Sequence, residues 1–108
     1  MRCVVTGGCG FIGSHIVDAL IRDGADVVVL DDLSTGNHQY LRPEAELIEG
    51  TAADQEAVQS ILKGTTWVFH LAALARVQQS VDDPIGSHSV NVNGTLNILQ
   101  AAREQNVE

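Results

Sequence analysis

Basic residues are scarce in this chain. Its 108 residues carry six Lys and Arg against fourteen Asp and Glu, a formal net charge of −8, and Lys63 is the single lysine. Affinity for DNA, RNA and anionic lipid comes mainly from Lys and Arg, so this balance argues against nucleic acid and membrane surfaces as partners. A surplus of acid with little Lys also suits a salt-adapted surface, although in so short a chain it is an ordinary fluctuation. Cysteine is equally sparse. Cys3 and Cys9 stand too close in sequence to form a disulfide framework. With Cys3 in a strand and Cys9 in the turn after it, their Cα atoms fall beyond the roughly 7 Å that a disulfide spans. The four histidines, His15, His38, His70 and His88, lie in different segments without metal-ligand spacing, and read as solvated or locally bonded. No apolar run approaches the roughly 20 residues of a membrane-spanning helix. Met1 to Thr6 reaches Gly7 too soon for a secretory signal, so a cytoplasmic protein is expected.

What remains is a globular composition, 44% hydrophobic and 19% charged, of single-domain length. Strand and helix patterns alternate along it. Arg2 to Thr6 is a short apolar run ending in glycines, a buried strand. Ile12, Ile16, Ala19 and Leu20 then fall on one face of a helix from Phe11 to Asp23, and Gly24 suits a left-handed cap at its end. Asp26 to Leu30, with three consecutive valines, predicts a second buried strand. Glu46 to Glu49 is a weaker strand, and Asp54 can cap a helix from Gln55 to Leu62. Thr66 to Leu71 predicts a fourth strand. Pro84 opens a long helix on which Val92, Leu96, Leu99 and Ala102 form the stripe expected to face the core. This order implies an α/β fold, a Rossmann-type doubly wound parallel sheet with strand order 3-2-1-4.

The segment joining the first strand to the first helix is Thr6-Gly7-Gly8-Cys9-Gly10-Phe11-Ile12-Gly13. Gly8, Gly10 and Gly13 fit G-x-G-x-x-G, while Gly7, Gly10 and Gly13 fit G-x-x-G-x-x-G. Glycine serves here to turn tightly, to let a pyrophosphate approach the backbone, and to pack the helix on the strand. Free N–H groups at the helix start then face the anion. Asp31, at the end of the second strand, is the acid expected about 20 residues on, where it accepts from the adenosine ribose hydroxyls. Asp32 sets a second carboxylate beside it, and Arg42 is the only base nearby in sequence. A 2′-phosphate would meet like charge there, so NAD is expected over NADP.

These segments, with Leu30-Asp31-Asp32-Leu33-Ser34-Thr35-Gly36, His70-Leu71-Ala72-Ala73 and Asn91-Val92-Asn93-Gly94-Thr95, resemble the extended short-chain dehydrogenase/reductases. Within them the likeness is to the NAD-dependent nucleotide-sugar epimerases and dehydratases. The resemblance implies that Phe11 and Ile12 offer backbone N–H groups to the pyrophosphate and that Asp31 holds the ribose. It places Asp32, Ser34, Thr35, Gly36 and Thr51 around the adenosine half. Leu71, Ala72 and Ala73 would line the cofactor, and Asn91 would sit near the pyrophosphate or the nicotinamide ribose. Thr51 stands where the family usually has Asp, and a hydroxyl is the weaker acceptor for an adenine amino group. Cys9 replaces a usual Ala or Ser; it reads as a small filler, with a reactive thiolate at the helix N-terminus as the alternative.

Family chemistry resembles hydride transfer from a sugar carbon to NAD and back through a keto sugar. It uses a Tyr base in a Tyr-x-x-x-Lys pair, its pKa lowered by the neighbouring cation. Tyr40 and Lys63 are the only Tyr and Lys here and cannot form that pair. Residues 1–108 are therefore expected to be the NAD-binding part of a nucleotide-sugar epimerase, with the catalytic pair and sugar-nucleotide domain following Glu108. A stand-alone NAD-binding module, or a 4,6-dehydratase or decarboxylase of the same group, are the other readings. The family's dimer contact and an uncovered fourth strand lead us to expect a homo-oligomer.

Overall fold

The computed structural model describes residues 1–33, 39, 41–72, 83–85 and 89–107. Strand β1 (Arg2–Thr6) leads to helix α1 (Phe11–Arg22), β2 (Asp26–Asp31), β3 (Glu46–Glu49), α2 (Gln55–Leu62) and β4 (Trp67–His70). A π-helical turn (Ser89–Asn93) then runs into helix α3 (Gly94–Glu104). The four strands form one parallel sheet in the order β3-β2-β1-β4. Val4 is paired with Val28 and Val68 across the sheet, and Thr6 with Leu30 and His70. The expected strand order is the one found. Strand β2 extends one residue further than its apolar run, to take in Asp31, and β4 is one residue shorter at each end than expected.

Alternation along the strands sends side chains to two separate cores. Val4, Val28 and Leu30 face α2 and α3, where Val58, Ile61, Leu62, Ile98 and Ala101 are buried. Val5, Val27 and Val29 face α1 with Val17 and Cys9, and Ile16, Leu20 and Ile21 pack against them. Helices thus cover both faces, which is why the central strands read as unbroken apolar runs.

The helix ends are set by local chemistry. Asp54 caps α2, its carboxylate accepting from the Ala57 N–H at 3.2 Å. Helix α1 closes with the Ala25 N–H on the Leu20 carbonyl and the Gly24 N–H on the Ile21 carbonyl, both at 3.0 Å, with Gly24 at φ +84°. That is a Schellman cap, which needs a left-handed residue at this point.

Two helix faces differ from the periodicity. On α1 the core side is Gly13, Ser14 and Val17, while Ile12 and Ala19 are exposed. On α3 the expected stripe points outward: Val92, Leu96 and Leu99 are 51%, 58% and 64% exposed, and Gly94, Ile98 and Ala101 are buried instead. Only Ala102 of that stripe packs on the core, at its margin. The inner face carries the smaller residues because the helix lies close to its neighbours: the Asn97 amide reaches the Ala52 carbonyl at 2.9 Å and the Gln59 amide reaches Glu104 at 2.7 Å. The helix expected after Pro84 is not uniform, since the π-helical turn precedes α3. Among the described residues, no helix is long and apolar enough to cross a membrane.

Candidate functional site: a glycine loop at the sheet switch point

Strand β1 lies between β2 and β4, and the helices that follow β1 and β3 go to opposite faces. In open parallel sheets such a reversal leaves a crevice outside the C-terminal ends of the strands, where ligands bind. Most of the sequence-predicted site residues converge on that edge. The Gly7 N–H reaches the Leu30 carbonyl at 2.8 Å, the Leu71 N–H reaches the Thr6 carbonyl at 3.0 Å, and the Gly50 N–H reaches the Asp31 carbonyl at 3.1 Å.

The glycines differ in what forbids a side chain. Gly7 has φ +72°, and a Cβ there would lie 2.9 Å from the Leu71 carbonyl carbon and the Ala72 nitrogen. A Cβ on Gly13 would lie 2.2 Å from the Gly7 carbonyl oxygen, and one on Gly8 would lie 2.7 Å from Val29 Cγ1. Internal packing therefore explains all three. It does not explain Gly10, whose backbone is ordinary extended chain (φ −77°, ψ 174°). Among the described residues, a Cβ at Gly10 would meet only the Gly7 oxygen, at 3.3 Å. Gly10 is the N-cap residue, at the mouth of α1.

That mouth has donors to offer. The first N–H groups of a helix have no partner within it. Gly10 supplies no side-chain cap, and the first turn carries no acid. Phe11 and Ile12 stand 79% and 65% exposed. Uncapped N–H groups, the positive end of the helix dipole and a side-chain-free approach at Gly10 fit a phosphate group.

Asp31 ends β2 beside this loop and is buried. Its carboxylate accepts from two backbone donors, the Cys9 N–H at 2.9 Å on Oδ2 and the Leu33 N–H at 2.7 Å on Oδ1. Leu33 takes a left-handed conformation, φ +62°, to make that bond. Two oxygens carry about four lone-pair sites, so the carboxylate keeps acceptor capacity for a hydroxyl. Asp32 lies exposed next to it. Arg42, the only base nearby in sequence, is paired with Asp18 at 3.0 Å and Glu44 at 3.9 Å.

Cys9 is wholly buried behind the loop. Burial, then the negative charge of Asp31 and a hydrogen bond to it, push the thiol up to about 11. Burial, with the Asp31 carboxylate added to it, opposes the helix dipole and argues against the reactive-thiolate reading. Cys3 and Cys9 are both free thiols.

On the other side of β1 the Thr6 hydroxyl accepts from the Leu71 N–H at 3.0 Å and the Ala72 N–H at 3.1 Å, and lies 2.6 Å from His70 Nδ1. His70 Nε2 lies 3.0 Å from the Thr95 hydroxyl, which donates to the Asn91 carbonyl at 2.8 Å. Asn91 is half-buried in the π-helical turn. The Thr51 hydroxyl is occupied locally, accepting from the Ala53 N–H at 3.1 Å. Ser34, Thr35, Gly36 and Ala73 lie outside the described residues, as does Tyr40. Lys63 ends α2 at the opposite edge, where Thr65 meets Arg2.

Sequence reasoning missed four participants: the Cys9 N–H, Thr6, His70 and Thr95. A hydroxyl ending a buried apolar strand and a histidine at the matching position of the next were the available signals for Thr6 and His70. Nothing local marks the Cys9 N–H.

The chain matches known proteins over its whole length. It is 42% identical to a putative UDP-glucose 4-epimerase of Methanocaldococcus jannaschii, over 97% of this chain and 35% of that one. The UDP-glucose 4-epimerase of Thermotoga maritima, solved with UDP-glucose, superposes with a TM-score of 0.95 at 40% identity, covering 99% of this chain and 35% of that one. The Thermus thermophilus enzyme, solved with NAD, does so with a TM-score of 0.88 at 42% identity, covering 100% and 35%. The chain thus spans about a third of the length of the curated relatives it matches. The family model for NAD dependent epimerases and dehydratases matches residues 3–108. With the glycine loop, Asp31 and the sheet order in place, the chain belongs to the NAD dependent epimerase/dehydratase family.

Proposed function

We propose that this chain is the NAD-binding part of a nucleotide-sugar epimerase of the UDP-glucose 4-epimerase kind. The observation that carries the reading is the open mouth of α1: uncapped N–H groups at Phe11 and Ile12, with a glycine at position 10 that internal packing does not demand. Phe11 and Ile12 hold the pyrophosphate through their N–H groups, while Gly7, Gly10 and Gly13 keep the loop close to it. Asp31 holds the adenosine ribose, with Asp32, Ser34, Thr35, Gly36 and Thr51 around the adenosine half. Leu71, Ala72 and Ala73 line the nicotinamide side, and Asn91 stands nearby. NAD, when bound, supplies reversible hydride acceptance for a sugar carbon. The Tyr-x-x-x-Lys pair does not occur in these residues, so the base and the sugar-nucleotide domain belong to further chain. A homo-oligomer and a cytoplasmic location complete the proposal. Outward Val92, Leu96 and Leu99 support the first, and two free cysteines, as in a reducing compartment, support the second.

Calorimetric titration with NAD and NADP tests the reading. NAD should bind more tightly than NADP, and Asp31→Ala should weaken NAD more than NADP. Tighter binding of NADP to the unaltered chain overturns the two-carboxylate argument. The chain alone should not interconvert UDP-glucose and UDP-galactose, and turnover by pure material would refute the placement of the base.

A further inference from the structure

We infer that His70 is a positioning residue locked in one neutral tautomer, tying the sheet to α3 and setting the Leu71–Ala72 backbone against the glycine loop. Its bearing on cofactor affinity rests on the NAD reading above; its geometry does not.

The tautomer follows from counting hydrogens. A threonine hydroxyl has one hydrogen and two lone pairs. At Thr6 the lone pairs face the Leu71 and Ala72 N–H groups at 3.0 and 3.1 Å, the Leu71 N–H being shared with the Thr6 carbonyl. The Thr6 hydrogen is left for the remaining neighbour, His70 Nδ1 at 2.6 Å. Nδ1 must then be the bare nitrogen, and the ring proton sits on Nε2. Nε2–H in turn donates to the Thr95 hydroxyl at 3.0 Å, whose own hydrogen goes to the Asn91 carbonyl at 2.8 Å. Every hydrogen points the same way, from β1 through β4 to the π-helical turn; the Leu71 N–H is shared between the Thr6 hydroxyl and the Thr6 carbonyl, at 3.0 Å from each.

A second proton on the ring breaks this order. It would put an N–H on Nδ1, facing an oxygen that already accepts from two N–H groups. Thr6 could accept it only by leaving the Leu71 N–H to the Thr6 carbonyl alone or by giving up the Ala72 N–H. That backbone runs close to the glycine loop, since a Cβ on Gly7 would stand 2.9 Å from the Leu71 carbonyl carbon and the Ala72 nitrogen. Protonation of His70 is thereby coupled to the wall of the crevice and to the turn carrying Asn91. Among the described residues, the groups hydrogen-bonded to the ring are Thr6 from β1 and Thr95 from α3, and neither titrates. Burial holds the imidazole below its usual 6.5. The neutral state is therefore the working one at neutral pH.

Nitrogen-15 NMR of the histidine-labelled chain decides the tautomer without any ligand. Nδ1 should resonate as a bare ring nitrogen and Nε2 as a protonated one. The reverse assignment, or an average of the two, overturns the inference. The Leu71 and Ala72 amide resonances should then titrate together with the His70 ring as pH falls; amides indifferent to that titration also overturn it. NAD affinity should drop about tenfold or more over the same pH interval, the effect expected for a broken buried hydrogen bond. Thr6→Ser should keep that profile and Thr6→Val abolish it. An NAD affinity that ignores the His70 titration removes the link to the cofactor. Failure of NAD to bind at any pH would sink the cofactor reading instead, leaving the tautomer and amide results to stand by themselves.

Discussion

At the scale of single residues, the glycine loop separates structural glycines from a ligand-facing one. Gly13→Ala drives a Cβ into the Gly7 carbonyl, 2.2 Å away, and should lower stability by about 1–3 kcal/mol, as overpacking does. Gly10→Ala meets a single atom among the described residues, the Gly7 oxygen at 3.3 Å, and should cost less stability than Gly13→Ala while weakening NAD strongly. A Gly10→Ala chain that unfolds as early as Gly13→Ala would deny Gly10 its special place. Cys9 offers a second test through pH. Its thiol is raised in the fold from 9.0 to about 11, so the folded chain keeps a proton that the unfolded chain has lost. The resulting stabilisation is fully present below pH 9.0 and fades as pH rises toward 11. Cys9→Ala should flatten that alkaline decline in chemical denaturation. Alkylation of native Cys9 should run slower than that of a free thiol, and rapid labelling that NAD blocks would restore the reactive-thiolate reading.

At the scale of elements, strands and caps were legible and the inner face of α3 was not. The valine run of β2 can only be a strand covered on both sides, and it is. The Asp54 cap and the Gly24 terminus depend on neighbours within one turn, so local sequence suffices for them. Helix α3 has two apolar stripes, a small one at Gly94, Ile98 and Ala101 and a larger one at Val92, Leu96 and Leu99. Periodicity favours the larger stripe, whereas the close approach to Ala52 and α2 selects the smaller. The two faces predict opposite costs. Ile98→Ala should destabilise by about 2–5 kcal/mol, and Leu96→Gln by less than about 0.5 kcal/mol, in urea unfolding. Equal losses would mean that the outer stripe is covered in solution.

At the scale of the whole molecule, that outer stripe bears on assembly. Among the described residues β4 pairs only with β1, and it carries Trp67 stacked on Phe69 along its α1 side. The strand contains no Lys or Pro to discourage pairing with another chain. Together with exposed Leu96 and Leu99, it gives two surfaces that self-association would cover. Sedimentation at micromolar concentration should find a dimer or larger species. Leu96→Gln with Leu99→Gln should shift it toward monomer if the helices make the contact, and leave it unchanged if strand edges do. A clean monomer from the unaltered chain would dispose of both routes.

Order along the chain was enough to place the strands, their parallel sequence 3-2-1-4, the glycine loop and the acid that ends β2. Those features rest on period, turn chemistry and spacing, which act between near neighbours. Contacts between residues far apart in sequence settled the rest. Asp31 clamps the Cys9 N–H across the loop, while burial of the side chain, and then the Asp31 charge, raise the thiol. The inner face of α3 follows from how closely it lies against the rest of the fold, which its own pattern does not encode. The His70 proton is assigned by Thr6, sixty-four residues away, and by Thr95, whose own hydrogen goes to the Asn91 carbonyl and which therefore accepts from Nε2.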